Sequence, residues 1–391
     1  MSQSLSLKPL SKTALDVPFS GIRRFFDIAA SMQDVVSLGV GEPDFVTPWS
    51  VREAAIYSLE RGQTTYTSNY GLLELRREIA RYLNKRYKVD YSPEAEILVT
   101  VGVSEGLDLA MRVLLNPGDE VLIPEPCYVS YRPCVSLAGG VPVGVETRSD
   151  AKFAVTAEQL KAACTERTKA ILLGYPSNPT GAVLSREQII EIINFARERG
   201  LYVVSDEIYD RLTYEGIHTC VASVPGAREI TVLLNGFSKA HAMTGWRIAY
   251  ACAPEHILKM MMKIHSYTML CAPITGQIAA VEALKHAEKE VEEMVSHYRQ
   301  RRRLIVDGLN RLGLTCHMPL GAFYAFPSIE STGLTAEQFA ERLLLEERVA
   351  VVPGTAFGAG GDGHIRCSYA TSVEKLELAL SRMRTFVEKL R

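Results

Sequence analysis

Between Glu96 and Cys252 short apolar runs alternate with stretches of helical periodicity, and this alternation restricts the fold more than any other feature of the chain. Strands and helices that alternate in sequence bury their apolar faces best as a sheet flanked by helices, an α/β architecture. The candidate strands are Ile97–Val101, Val121–Ile123, Val141–Val145, Ala170–Gly174, Tyr202–Ser205, Thr231–Leu234 and Ile248–Cys252. The last three lead into or out of polar residues that a core would not hold: Asp206, Asn235 and Arg247. In open α/β sheets, ligands bind in the crevice outside the strand ends, so these positions become suspects for a site.

Helix starts are well marked. Ser185-x-x-Gln188 and Thr335-x-x-Gln338 are capping boxes, in which each side chain satisfies a free amide at the helix start, and Gly200 stops the first of these helices. After about residue 285 the pattern changes to a long charge-laced helix, His286 to Leu312, then short strands and a final helix from about Thr371. A chain of 391 residues has room for a second domain of this different build.

Acids and bases are spread along the chain and leave a formal charge of -2, so no polyanion-binding face is indicated and nucleic acid is not an expected partner. The eight cysteines carry no C-x-x-C pair and no zinc-type spacing, and they read as reduced thiols with no metal site. Met1–Ser20 lacks the continuous apolar core of a signal peptide. The longest uncharged stretch, Ile264–Val281, contains His265, Ser266, Pro273 and Gln277 and reads as protein interior rather than a membrane span. The expected setting is the cytoplasm, with no membrane partner.

Four segments carry chemistry. The first, Asn235-Gly-Phe-Ser-Lys239-Ala-His-Ala-Met-Thr-Gly-Trp-Arg247, follows a strand and leads into another. A lysine after a strand is ordinarily a solvated surface charge, but Ser238 and Arg247 add a hydroxyl and a guanidinium, the groups that grip a phosphate. An amine beside a phosphate clamp suggests a Schiff base. The second, Val101-Gly102-Val103-Ser104-Glu105-Gly106, reads as a strand-to-helix turn whose free amides and helix dipole favour an anion, provided Glu105 points away. The third is Ser205-Asp206-Glu207-Ile208-Tyr209 at a strand end. Asp206 could simply cap the next helix. With a pyridine cofactor it has a sharper task, keeping the ring nitrogen protonated so that the ring can store electrons, while Tyr209 could reach the ring oxygen. The fourth, Pro176-Ser177-Asn178-Pro179-Thr180-Gly181, is by composition a turn, with Asn178 held stiffly between prolines.

In this order and spacing, the four segments resemble the class I aminotransferases of the fold-type I family that uses pyridoxal phosphate (PLP), in particular the aspartate and aromatic branch. The resemblance runs from Ser37-Leu-Gly-Val-Gly-Glu-Pro-Asp-Phe45 to His364-Ile-Arg366-Cys-Ser-Tyr-Ala-Thr371, through Tyr66-Thr-Ser-Asn-Tyr-Gly71, Asn116-Pro-Gly-Asp-Glu120 and Gly321-Ala-Phe-Tyr324. It implies a large domain, residues 46–284, with a mostly parallel seven-stranded sheet, and a smaller α+β domain from residues 1–45 and 285–391. It also implies that Lys239 carries PLP as a Schiff base, that Asp206 pairs with the ring nitrogen, and that Asn178 and Tyr209 contact the ring oxygen. Tyr128 matches the aromatic that stacks on the ring, where many relatives carry Trp or Phe. Val103, Ser104, Ser238 and Arg247 match phosphate ligands, and Tyr66 matches a tyrosine that reaches the phosphate from a second subunit, which implies a homodimer with shared sites. Arg366 matches the arginine that grips the substrate α-carboxylate; by residue type alone it could instead bridge acids inside the second domain. Gly39 matches a small residue over the substrate.

The implied reaction is ping-pong transamination between an amino acid and a 2-oxo acid, 2-oxoglutarate being the expected acceptor. A dicarboxylate donor would need a second cation, for which Arg23 and Arg24 are candidates. Three rival readings remain to be weighed. Gly358-Ala-Gly360-Gly-Asp-Gly363 is a literal dinucleotide fingerprint, but a strand rather than a helix is expected after it. A PLP-sensing regulator would carry a basic DNA-binding module, and only a short polar leader precedes Val36. A C–S lyase of the same fold would share the cofactor and change the reaction.

Overall fold

The structure is a computed structural model that describes residues 7–19 and 32–390. Seven strands form one sheet in the order Ile97–Thr100, Ala249–Cys252, Thr231–Gly236, Tyr202–Asp206, Thr168–Gly174, Glu120–Glu125 and Val141–Glu146. All seven expected strands are present. Every pairing is parallel except the two made by Ala249–Cys252. The inner strands Thr231–Gly236 and Ala249–Cys252, and the edge strand Ile97–Thr100 beside them, are buried along their whole length, the continuous apolar pattern of a sheet covered on both faces. Val141–Glu146, at the sheet edge, is mostly exposed or half-buried.

Strand direction positions the site. Ile97–Thr100 is antiparallel to Ala249–Cys252, which is antiparallel to Thr231–Gly236, so the first and last of these three run the same way. The turns after Thr100, Gly174, Asp206 and Gly236 therefore open at one edge of the sheet. Arg247, entering the reversed strand, arrives at that same edge.

Beyond the sheet, Val352–Pro353, Ile365–Ser368 and Tyr324–Ala325 form a small antiparallel sheet, and Val36–Ser37 pairs in parallel with Val349–Ala350. Val36 and Leu38 share an apolar cluster with Val291, Ile305, Leu309, Phe339, Leu376 and Phe386, which ties the N-terminal segment to the C-terminal third of the chain.

Both expected capping boxes form, and a third, Thr156 with Gln159, joins them. The long helix spans Glu288–Arg311, not His286–Leu312, because a helix Ile274–His286 precedes it and Ala287 leaves helical geometry between the two. Glu288 and Glu290 occupy the first turn, where the helix dipole favours acids. The last helix is Val373–Leu390. Gly358–Gly363 forms tight turns packed on Glu125 and is followed by the strand Ile365–Ser368, as expected, so no helix N-terminus stands there to receive a dinucleotide.

One expectation needs correction. Ile264–Val281 is not all interior: it is split between the helices Glu255–Thr268 and Ile274–His286, and Tyr267, in the last turn of the first, is 85% exposed. The apolar run turns the chain at the surface beside the segment 66–71, whose Asn69 donates its side-chain amide to Leu270 O across 2.7 Å. Among the described residues no helix is long and apolar enough to cross a membrane.

Candidate active site

A cavity of about 510 Å³ lies at the edge where the strand ends meet the C-terminal part of the chain. Lys239 enters it three residues beyond the strand Thr231–Gly236. Its Nζ donates to Gly41 O across 2.6 Å, and the faces of Tyr209 and Phe323 lie within 6 Å. Burial disfavours the ammonium and pulls this amine down to about 8; Glu42 opposes the shift, while Arg366 and Arg247 add to it.

Asp206 closes the strand Tyr202–Asp206 and is buried. Oδ2 accepts the Tyr131 hydroxyl at 2.9 Å and Oδ1 accepts the Ile208 amide at 3.2 Å. Desolvation pushes the carboxyl up to about 6, and these two hydrogen bonds restrain it from rising further. The chain turns after Asp206 instead of entering a helix, so its bond to Ile208 holds a turn. That turn brings Tyr209 round to the cavity, where its hydroxyl lies 2.8 Å from that of Tyr324.

The helix Gly102–Leu114 opens without a side-chain cap, leaving first-turn amides free beside Val103 and Ser104. Gly102 has φ +76°, and a Cβ there would overlap the Arg247 guanidinium, so only glycine lets that side chain lie across the turn. Val103, Ser104, Ser238 and Arg247 all line the cavity. Glu105 does point away: its Oε2 accepts the Val101 amide and its Oε1 lies 2.6 Å from Nδ1 of His265.

Arg366, on the strand Ile365–Ser368, is 4% exposed. Its Nη1 donates to Asn178 Oδ1 at 2.9 Å and its Nη2 to Gly39 O at 2.5 Å, with the Tyr324 and Phe357 rings on either side at 4.5 and 4.9 Å. It bridges no acids: among the described residues no carboxylate pairs with this guanidinium, and its Nε has no partner. A buried cation satisfied only by neutral oxygens is an incomplete pair.

Of the residues singled out in the sequence, Gly39, Val103, Ser104, Tyr128, Asn178, Asp206, Tyr209, Ser238, Lys239, Arg247 and Arg366 line this one cavity. Tyr66 does not; it is 80% exposed and faces outward. Arg23 and Arg24 lie outside the described residues.

The sequence profile of aminotransferase class I and II matches residues 33–383. The chain belongs to that family. This aminotransferase is 47% identical to an aspartate aminotransferase of Pyrococcus abyssi, across 93% of its own length and 94% of the relative's. It is 42% identical to aromatic-amino-acid aminotransferase 2 of Thermococcus litoralis, over 93% and 94% of the two chains. The solved structure of the Thermus thermophilus aspartate aminotransferase with maleate superposes with a TM-score of 0.93 at 40% identity, covering 97% of this chain and all of that one. The architecture is thus that of the aspartate aminotransferases, an α/β fold with a mostly parallel central sheet.

Sequence reasoning passed over Tyr131, Tyr324 and Glu42, which also line the aminotransferase's cavity. Glu42 and Tyr324 sat inside motifs already quoted, and Tyr131 lies three residues beyond Tyr128. Nothing in the local pattern shows that Tyr131 meets an aspartate 75 positions away or that Tyr324 meets a tyrosine 115 positions away.

Proposed function

We propose that this aminotransferase holds PLP in the cavity and moves an amino group from an amino acid to a 2-oxo acid by a ping-pong cycle, with 2-oxoglutarate as acceptor and aspartate, aromatic or a broad range of amino acids as donors. The observation that carries this reading is Arg366, a buried guanidinium without a carboxylate partner among the described residues, opening on the same cavity as a lysine amine lowered to about 8. Every donor and acceptor in transamination brings an α-carboxylate to complete the first, and an amine near neutrality is the base needed by the second.

The residues present suit the cofactor. Ser238, Arg247 and the first-turn amides of the helix Gly102–Leu114 make a donor set for a phosphate, and the glycine at 102 is what lets them converge. Asp206 offers a buried carboxylate to a ring nitrogen, Asn178 and Tyr209 offer donors to a ring oxygen, and Tyr128 presents an aromatic face. When bound, PLP supplies a carbonyl carbon for Lys239 and an electron sink for the pair left at the substrate α-carbon.

The chain's own residues then do the rest. Arg366, fixed by Asn178 and Gly39, orients the substrate by its carboxylate. Nζ of Lys239 takes the α-proton and carries it as the ammonium, a role its lowered pKa favours. Asp206 stays ionised near neutral pH despite its burial because Tyr131 and Ile208 donate to it, and so it can hold a proton on a facing nitrogen.

The active unit is a homodimer in this reading. Tyr66 and the exposed apolar residues Trp49, Ile56, Tyr57 and Tyr267 suit a surface covered by a second copy, through which Tyr66 would complete the neighbour's phosphate site. Eight free cysteines suit a reducing cytoplasm.

The test is borohydride reduction of the PLP-treated protein followed by peptide mapping, together with a half-reaction using glutamate alone. A pyridoxyl adduct on Lys239 and about one equivalent of 2-oxoglutarate per chain are expected. An adduct on another lysine, or no product until a second substrate is added, would overturn the assignment.

A further inference from the structure

The helix Gly102–Leu114 supplies amides to the proposed phosphate site, yet the residue directly after Ser104 is an acid. A carboxylate so close to a bound phosphate repels it, so its presence calls for a compensating task. Its geometry supplies one. Oε2 of Glu105 accepts the Val101 amide at 2.5 Å, reaching back four residues to the point where strand gives way to helix. Oε1 lies 2.6 Å from Nδ1 of His265, on the neighbouring helix Glu255–Thr268. A carboxylate can only accept, so Nδ1 donates, and the ring is 0% exposed with Nε2 unpartnered among the described residues. Buried polar atoms without partners are rare, and one kept beside a functional turn calls for a reason.

Most helix starts are closed by a side chain that takes up an N2 or N3 amide. Here the Val101 cap position offers no such side chain. Glu105 instead takes the amide of the cap residue itself and leaves those of Val103 and Ser104 unclaimed among the described residues. The turn it pins also contains Gly102, at φ +76°, against which the Arg247 guanidinium lies. The same bond therefore fixes both the free amides and the seat of the phosphate arginine.

We infer that Glu105 and His265 are positioning residues for the cofactor phosphate: His265 aims the Glu105 carboxylate, and Glu105 locks the turn 101–104 in the shape that leaves its amides free. The inference rests on the PLP reading given above. It makes the pair specific to the phosphate and indifferent to the ring, since neither residue lines the cavity.

That distinction sets the experiment. Dissociation constants of PLP and of pyridoxal, which lacks the phosphate, are measured on cofactor-free protein by absorbance-monitored equilibrium dialysis, for wild type, Glu105→Ala, His265→Leu and His265→Asn. Glu105→Ala and His265→Leu are expected to weaken PLP about ten- to hundredfold, the worth of a hydrogen bond to a charged group, with pyridoxal within about twofold of wild type. His265→Asn, whose side-chain amide stands where Nδ1 does, is expected to recover most of the PLP affinity. Equal weakening of PLP and pyridoxal would reduce the pair to a general structural role, and PLP affinity unchanged in His265→Leu would remove the claim outright. Should Glu105→Ala fail to fold, the two His265 variants still decide. If wild-type protein takes up no PLP at all, the cofactor reading itself falls and this inference falls with it.

Discussion

The Tyr131 hydroxyl donates to Oδ2 of Asp206 across 2.9 Å, so the carboxylate assigned to the ring nitrogen is held by a side chain from the segment that also presents Tyr128 to the cavity. The bond favours the ionised form of an acid that burial drives towards the neutral one.

Tyr131→Phe should therefore let the Asp206 carboxyl rise beyond about 6. Fewer molecules then carry the ionised partner at neutral pH. The acid limb of the kcat/KM profile should move to higher pH, with a loss of about tenfold near pH 7 and recovery towards pH 9. A uniform loss with an unmoved limb would sink this account.

Asp206→Asn should abolish transamination by orders of magnitude while stabilising the cofactor-free fold. The folded-state value is raised from 3.8 to about 6, so the cost of keeping this group is absent below pH 3.8, grows between the two values and is complete above about 6. That range corresponds to at most about 3 kcal/mol at pH 7. Urea unfolding of the two proteins should differ in this direction at pH 7 and converge near pH 4; a less stable variant at pH 7 would refute the argument.

Arg366→Lys keeps a charge and loses the planar fork that meets both carboxylate oxygens. A loss of about 1.5–3 kcal/mol, or roughly ten- to hundredfold in kcat/KM, is expected for glutamate, aspartate, phenylalanine and tyrosine alike, with PLP binding little changed. If only the acidic donors suffer, Arg366 selects side chains and the pocket has been read the wrong way round.

Mixing Tyr66→Phe and Lys239→Ala chains tests the shared site. Random pairing makes half of the dimers hybrids, and each hybrid regains one intact site, so about a quarter of wild-type activity should reappear from two impaired parents. No recovery after subunit exchange, shown by native mass spectrometry, would confine Tyr66 to its own chain.

What the chain discloses before folding depends on the range of the interaction. The seven strands were legible because a sheet covered on both faces needs unbroken apolar runs such as Ile97–Thr100, and the turns beyond them follow from strand direction. Ser185 and Thr335 announced their helices because a capping box lies within four residues. The Ala287 break was hidden, since the charge pattern runs through it unchanged. Tyr267 was misplaced because an uncharged run looks the same in sequence whether it faces a core or an exposed surface. Arg366 was legible as a residue, but its lack of an acidic partner among the described residues is a fact of three-dimensional packing.

The direction of the strands also divides the molecule into a working end and an idle one. The turns Asn116–Asp119, Gly139–Gly140 and Arg199–Leu201 lie at strand starts, opposite the edge that carries Lys239, and a Cβ built on Gly118 or Gly200 meets nothing within 4 Å. Attachment to a solid support, or splicing of a second enzyme, belongs at those turns. An immobilised aminotransferase tethered there would present its cavity mouth to the feed stream, whereas the same linker placed after Gly174 or Gly236 would obstruct it.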